Sequence, residues 1–200
     1  MNDKLSLYVE LLLKWQEKIN LISTNSKTEI WQRHIEDSLQ LQKFVPPQTK
    51  AIIDLGSGAG LPGIVLAVAT GIKTYLIESD RRKSIFLQEV VRQLWLDAHI
   101  INERIEKAKL DIGQGEVIIT ARGLADLDKI FAIINSLLVN NNLENRNGTM
   151  YKILLLKGKN VSRETLEAEK RWEFNAIYQK SETDTESSIV IIDKFKRKVL

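Results

Sequence analysis

Apolar residues open the chain at helical spacing. Leu5, Tyr8, Leu12, Trp15 and Ile19 lie three or four positions apart, with Lys4, Glu10, Lys14, Glu17 and Lys18 on the other side. The pattern predicts an amphipathic helix over 4–20, with Asp3 as its N-cap. A second helix is predicted over 27–43, turning Ile30, Trp31, His34, Ile35, Ser38, Leu39 and Leu41 inward. Ser26 or Thr28 is available to cap it, and Pro46 and Pro47 end it. From residue 51 the period changes. Strand-like runs at 51–55, 73–77, 98–102, 116–120 and 152–156 alternate with helix-like runs at 63–69, 82–95, 124–139 and 163–172. That alternation is expected of a parallel sheet covered on both faces. The runs at 173–179 and 189–192, joined by the polar turn SETDTESS, read as a terminal antiparallel pair. The asparagine-rich stretch from Asn140 reads as an exposed connection. The fold class is therefore α/β, a seven-stranded sheet with a terminal hairpin. The chain of 200 residues is expected to be a single domain, with 1–50 as a helical cap and 51–200 as the α/β core. Trp15, Trp31, Trp95 and Trp172 fall at core spacing and are expected to pack.

The densest chemistry sits at the first strand's end, AIIDLGSGAGLPG over 51–63. Glycine accepts positive φ and lets a ligand approach the backbone, and Pro62 suits the first turn of a helix. Two ligand classes fit the spelling. Gly58, Gly60 and Gly63 match the GxGxxG of dinucleotide-binding folds, which predicts a nicotinamide-dependent (NAD(P)) oxidoreductase. Counting from Gly56 through Gly58 and Gly60 instead, the stretch resembles the first motif of class I S-adenosylmethionine-dependent methyltransferases, an acid followed by GxGxG. That reading leaves Leu55, Gly56 and Ser57 better explained, and it implies that Asp54 holds the methionine end of the cofactor. Glu78 ends the second strand, where a carboxylate faces the crevice and can accept both hydroxyls of a ribose.

Composition narrows the chemistry. There is no cysteine, hence no disulfide, thiolate metal site or cysteine nucleophile, and with two distant histidines no metal is expected. No apolar run is long enough to span a membrane and no signal peptide is legible, so the chain reads as cytoplasmic. The net charge of +3 is modest, but the end of the chain from Lys194 carries four positive charges. It is expected to be either a solubilising tail or a source of salt-dependent phosphate contacts.

The fourth strand closes on Thr120, Ala121, Arg122 and Gly123, where this fold places the group nearest the transferred methyl. Exocyclic amine methylation usually uses an acid, serine or asparagine followed by two prolines there, and these are missing. Methylation at cytosine C5 needs a cysteine, and methylation of a ribose hydroxyl needs a lysine base with an acid. A lone-pair target remains. Guanine N7 is unprotonated at neutral pH and needs positioning and desolvation but no general base.

LKWQEKINLIS, RHIEDSL, DLGSGAGLPGIVLA, the TARG strand end and LLLKGK together resemble the bacterial small-subunit (16S) ribosomal RNA guanine-N7 methyltransferases, also called glucose-inhibited division protein B. The resemblance covers nearly the whole chain. It implies a Rossmann-like methyltransferase fold, S-adenosyl-L-methionine as cofactor, and small-subunit ribosomal RNA or the 30S subunit as partner, with the protein acting as a monomer. It places Gly56, Leu61, Ile105, Glu106 and Arg122 against the cofactor, and Arg104, Arg122 and Lys157 against the guanine or its phosphates. Arg33, His34 and Asp37, with Trp31, would form the signature of the cap. Ser187 and Ser188 stand where members often carry a basic residue, and Glu78 is followed by Ser79, Asp80 and Arg81, a departure in local charge. A non-catalytic ribosome- or RNA-binding module remains the alternative from another class.

Overall fold

The computed structural model describes residues 1–23, 29–143 and 150–198. Among these, seven strands form one sheet: β1 (Thr49–Leu55), β2 (Thr74–Ile77), β3 (Ala98–Ile101), β4 (Glu116–Arg122), β5 (Met150–Lys157), β6 (Trp172–Lys180) and β7 (Ser188–Arg197). The helices are α1 (Asn2–Gln16), α2 (Asp37–Leu39), α3 (Gly63–Thr70), α4 (Arg81–Leu94), α5 (Leu127–Asn140) and α6 (Val161–Ala168). The spatial order is β3-β2-β1-β4-β5-β7-β6. The first five strands run parallel, and β7 lies antiparallel to both β5 and β6. The order reverses direction between β1 and β4, which opens a crevice at their carboxyl ends.

The central strands read as continuous apolar runs because both of their faces are covered. Ile53, Ile119 and Ile153 face Phe131, Ile134 and Leu137 of α5. On the other side α1, α3 and α4 pack Leu5, Tyr8, Ile64 and Phe86 together with Leu76 of β2. Ile52, Ile118 and Leu154 meet Leu41 and Leu66 in a third cluster. The cap is thus fastened to the sheet face that carries the glycine turn.

Three expectations need correction. The first helix stops at Gln16 because that side chain closes the turn behind it: Oε1 accepts from the amides of Leu21 and Ile22 at 2.8 and 2.9 Å, and Nε2 donates to the Ile22 carbonyl at 2.9 Å. The expected Asp3 cap is replaced by a start at Asn2. The second helix changes type along its length, from a π-helix over Trp31–Glu36 through α2 to a 3₁₀ segment over Gln40–Phe44. A wheel drawn at 3.6 residues per turn misplaces its faces. Ile35, Ser38 and Leu41 are inside as expected, but Trp31 is 42% exposed. Its proposed caps, Ser26 and Thr28, lie outside the described residues. Trp95 is also misread: it ends α4 in the left-handed region and is 89% exposed, whereas Trp172 is core.

The basic end of the chain is a strand. Lys194, Lys196 and Arg197 pair with Asn175, Glu173 and Trp172, and Phe195 between them turns inward to stack on Phe131 at 4.8 Å. Because β7 begins opposite Lys157 and runs away from it, these cations sit at the end of the sheet remote from the crevice. We expect Phe195→Ala to lower unfolding free energy by about 3–5 kcal/mol in urea titration. Deleting the chain from Lys194 should do at least as much damage, so lost RNA binding in that deletion would report on folding.

Candidate cofactor and substrate cleft

The turn after β1 is built from inside. Asp54, wholly buried, accepts from the Gly63 amide at 3.3 Å through Oδ2. A Cβ on Gly63 would lie 2.6 Å from that oxygen, so only glycine lets α3 start over the carboxyl group. Gly58 differs. Its φ of +57° favours glycine, and a Cβ there would meet nothing nearer than the Gly56 carbonyl at 3.7 Å. The space above it is open. Glu78 crosses from β2, accepting from the Gly58 amide at 2.8 Å through Oε2 and from the Asp80 amide at 2.7 Å through Oε1. Each oxygen retains a lone pair for a ligand hydroxyl. A cavity of about 320 Å³ lies against this carboxylate, lined also by Gly56, Ile105, Glu106 and Leu124. Glu78, Gly56, Ile105 and Glu106 are therefore brought together as the sequence predicts. Arg104 stands at the rim, largely exposed, with Glu106 at 3.7 Å. Gly60 and Leu61 are elsewhere: a Cβ on Gly60 would overlap Ile64 and Leu87, and Leu61 is buried beneath the turn, so both serve its packing.

Gly123 and Leu124 also wall a second cavity, of about 520 Å³, shared by Asp37, Arg122, Lys157 and Asn160. The two cavities form one cleft across the β1–β4 switch. Arg122 enters it from β4, yet one nitrogen is turned into the cap. Its Nη1 donates to the Arg33 carbonyl at 3.2 Å and to His34 Nδ1 at 3.1 Å, and lies 3.5 Å from Asp37 Oδ2. Among the described residues Nη2 and Nε of Arg122 make no hydrogen bond. Asp37 in turn holds the hairpin between β6 and β7: its Oδ1 accepts from Thr183 Oγ1 at 2.9 Å and from Gln40 Nε2 at 2.8 Å. Lys157 is engaged, its ammonium donating to the Ala125 carbonyl at 2.7 Å and lying 2.5 Å from Glu164.

Burial sets the charge states. Desolvation pushes the Asp54 carboxyl from its ordinary 3.8 up to about 7, opposed by its hydrogen bonds and by Arg122. Desolvation, reinforced by the Arg122 guanidinium, brings His34 from 6.5 down to about 4. Neutral His34 accepts from Arg122 at Nδ1, so its proton resides on Nε2, a buried atom without a partner among the described residues. Asp54 Oδ1 and Thr120 Oγ1 are likewise buried and unpartnered, and the two residues face each other across β1 and β4. The open Gly58 cradle and the spare lone pairs of Glu78 suit a cofactor that carries a ribose. Among the described residues no group of three or more acidic or histidine side chains could hold a metal.

Sequence reasoning missed Gly123 and Leu124 as the shared wall, and Gln40, Ser181 and Thr183 as partners of the cap. Nothing in a glycine or a hairpin serine announces such a contact. It also missed Tyr8, whose core spacing concealed a hydroxyl that donates to the Ala59 carbonyl at 2.7 Å.

A parallel sheet with a glycine turn at its switch point, an acidic ribose site on β2 and a terminal antiparallel strand pair define a methyltransferase of the class that uses S-adenosylmethionine. The fold is shared with the TYW2 protein of M. jannaschii, solved in complex with AdoMet (TM-score 0.57, 18% identity, 91% of this chain and 80% of that one). It is also shared with a SAM-dependent methyltransferase from Aquifex aeolicus (TM-score 0.56, 12% identity, 82% and 91%). Residues 1–190 match the family described as rRNA small subunit methyltransferase G, GidB, and the chain belongs to it. The Ribosomal RNA small subunit methyltransferase G of Rickettsia rickettsii (strain Sheila Smith) is 39% identical over 197 residues, covering 98% of this chain and 96% of the relative. That of Rickettsia bellii (strain OSU 85-389) is 40% identical over 190 residues, covering 95% and 92%. Membership sets aside the oxidoreductase reading.

The two shifted groups oppose each other in acid. Between about pH 4 and 6.5 folded Asp54 holds a proton that the unfolded chain releases, so its contribution to stability falls as pH rises. Over the same window His34 is neutral when folded and charged when unfolded, so its contribution rises. We expect the slopes largely to cancel in the parent. Urea titrations at about pH 4.5 and about pH 6.5 should show Asp54→Asn gaining stability with pH relative to the parent, and His34→Gln losing it. Parallel pH dependence in all three proteins would refute the assigned charge states.

Proposed function

We propose that the protein transfers the methyl group of S-adenosylmethionine to N7 of a guanine in small-subunit ribosomal RNA, acting as a cytoplasmic monomer with 1–50 and 51–200 working as one unit. The cytoplasmic reading is supported by membership in a family named for small-subunit ribosomal RNA, which is made and assembled there. The observation that carries the chemistry is the state of the acids in the substrate-side cavity. Asp37 is tied to Thr183, Gln40 and Arg122 and Glu164 to Lys157 at 2.5 Å, whereas Asp126 is largely exposed at the rim with Lys129 at 3.5 Å. Neither enclosed carboxylate is free to act as a base. A target with an available lone pair requires none.

When bound, S-adenosylmethionine supplies a methyl group activated by the sulfonium. Glu78 accepts from the ribose hydroxyls, Gly56 and Gly58 give the backbone room, and Ile105, Glu106 and Leu124 enclose the base. Asp54, sealed beneath the turn, acts on the amino-acid end only by holding the Gly63 amide and with it the shape of the turn. Arg122, anchored through Nη1, presents Nη2 and Nε as a fork for guanine O6 or a phosphate. Lys157 fixes the Ala125 carbonyl and hence the wall at Gly123 and Leu124, a positioning role rather than direct contact with the guanine. Arg104, exposed at the rim, is placed to meet a phosphate.

The decisive experiment is transfer of labelled methyl to small subunits from cells lacking the activity, followed by mapping of the modified base. Label at one guanine N7 is expected; label at any other atom would refute the proposal. Arg122→Ala should reduce kcat by about 10²-fold or more while changing S-adenosylhomocysteine affinity by less than about threefold. Equal losses in both would make Arg122 a cofactor ligand alone.

A further inference from the structure

Ala59 lies between Gly58 at φ +57° and Gly60 at φ +90°. Two left-handed glycines flanking one residue leave a turn with little intrinsic preference among its conformations, so its hydrogen bonds must select one. Two of them are local to the cleft: the Gly60 amide donates to the Ser57 carbonyl at 2.6 Å, and the Gly58 amide to Glu78 at 2.8 Å. Both fix amides. The Ala59 carbonyl is fixed from a distant part of the chain, by the hydroxyl of Tyr8 at 2.7 Å across 51 residues of sequence. Tyr8 is wholly buried on α1 among the leucines that fasten the cap. Burial pushes its phenol well above the ordinary tyrosine range, which keeps the hydroxyl protonated and donating. A phenylalanine would fill the same core space, so packing alone does not account for a hydroxyl aimed at this carbonyl.

We propose that Tyr8 is a positioning residue for cofactor binding: by holding the Ala59 carbonyl from behind, its hydroxyl fixes the Gly58–Gly60 turn in the orientation that receives the cofactor. The inference rests on that turn being the cofactor's seat. It ties α1 to cofactor binding although no residue of α1 lines either cavity. Coupling of this kind is reciprocal, so cofactor binding stabilises the seating of α1 as much as α1 favours binding.

The test is the affinity of the full-length protein for S-adenosylhomocysteine, measured by calorimetry well below the unfolding temperature. The parent is compared with Tyr8→Phe, Phe195→Ala and Glu78→Ala. Tyr8→Phe, which keeps the ring, should bind about tenfold more weakly, with KM for the cofactor raised and kcat at saturation within about twofold of the parent. Phe195→Ala, which opens the other core cluster far from α1 and the turn, should lower the unfolding midpoint further and yet bind with parent affinity. Parent affinity in Tyr8→Phe, with Glu78→Ala weakened, overturns the role of Tyr8 alone. Equal weakening in Phe195→Ala overturns it too, since the effect would then be one of general stability. Unchanged affinity in both Tyr8→Phe and Glu78→Ala overturns the placement of the cofactor in this cleft, and the proposal with it.

Discussion

The crevice depends on a carboxyl group with no access to water. Asp54 lies beneath the first turn of α3 and accepts from the Gly63 amide, one of the four donors that a helix N-terminus leaves free. That bond draws the helix onto the end of β1 and compels the intervening chain to fold back in a turn of left-handed glycines. Burying a carboxylate is costly, and the raised pKa expresses that cost. The group is tolerated because Gly63 brings its amide close, and because Arg122 supplies positive charge from the neighbouring strand. A different residue at 63 would part helix from strand and the cleft would lose its floor.

The substrate side is organised by a second polar node. Asp37 joins three elements that are far apart in sequence: the cap through Gln40, the β6–β7 hairpin through Thr183, and β4 through Arg122. Arg122 is thereby held by one nitrogen against the cap. An unsupported arginine on a strand end would lose rotamer freedom on meeting a ligand, whereas an anchored fork has little left to lose. Neutral His34 contributes as an acceptor, and a cation in its place would repel the guanidinium. The change of helix type between Trp31 and Phe44 accompanies this arrangement, presenting the Arg33 carbonyl and His34 Nδ1 to the same nitrogen.

The sheet was legible because its strands are buried on both faces and its helices on one, so periodicity and burial coincide. Glu78 and Gly58 were legible for a related reason: an acid or glycine closing an apolar strand has few structural uses other than facing the crevice. The cap was less so. RHIEDSL gave no sign that its backbone would pass through π and 3₁₀ geometry, and a wheel of fixed period turned Trp31 inward. The tail failed through charge: three basic residues masked the alternation that places Phe195 in the core. Lys157 carried the same ambiguity, since a lysine closing a strand reads as a phosphate ligand until Glu164, from the following helix, is seen to hold it. Tyr8 was hidden because helical spacing reports which face is buried and says nothing of what a hydroxyl on that face can reach.

These features favour a chemistry that asks for geometry and no proton transfer. An enzyme that deprotonates its target must keep a base free and tuned near the working pH. Here the one group shifted toward neutrality, Asp54, is sealed beneath the turn, and the two enclosed acids of the substrate side, Asp37 and Glu164, are bound to partners. What the substrate side keeps available is donors: the free edge of Arg122 and the exposed guanidinium of Arg104 at the rim. Donors hold an electron-rich ring and its phosphates in place but cannot take a proton from them. A nucleophile that already carries its lone pair is the target such a site is able to serve, and the ring nitrogen N7 of guanine meets that condition.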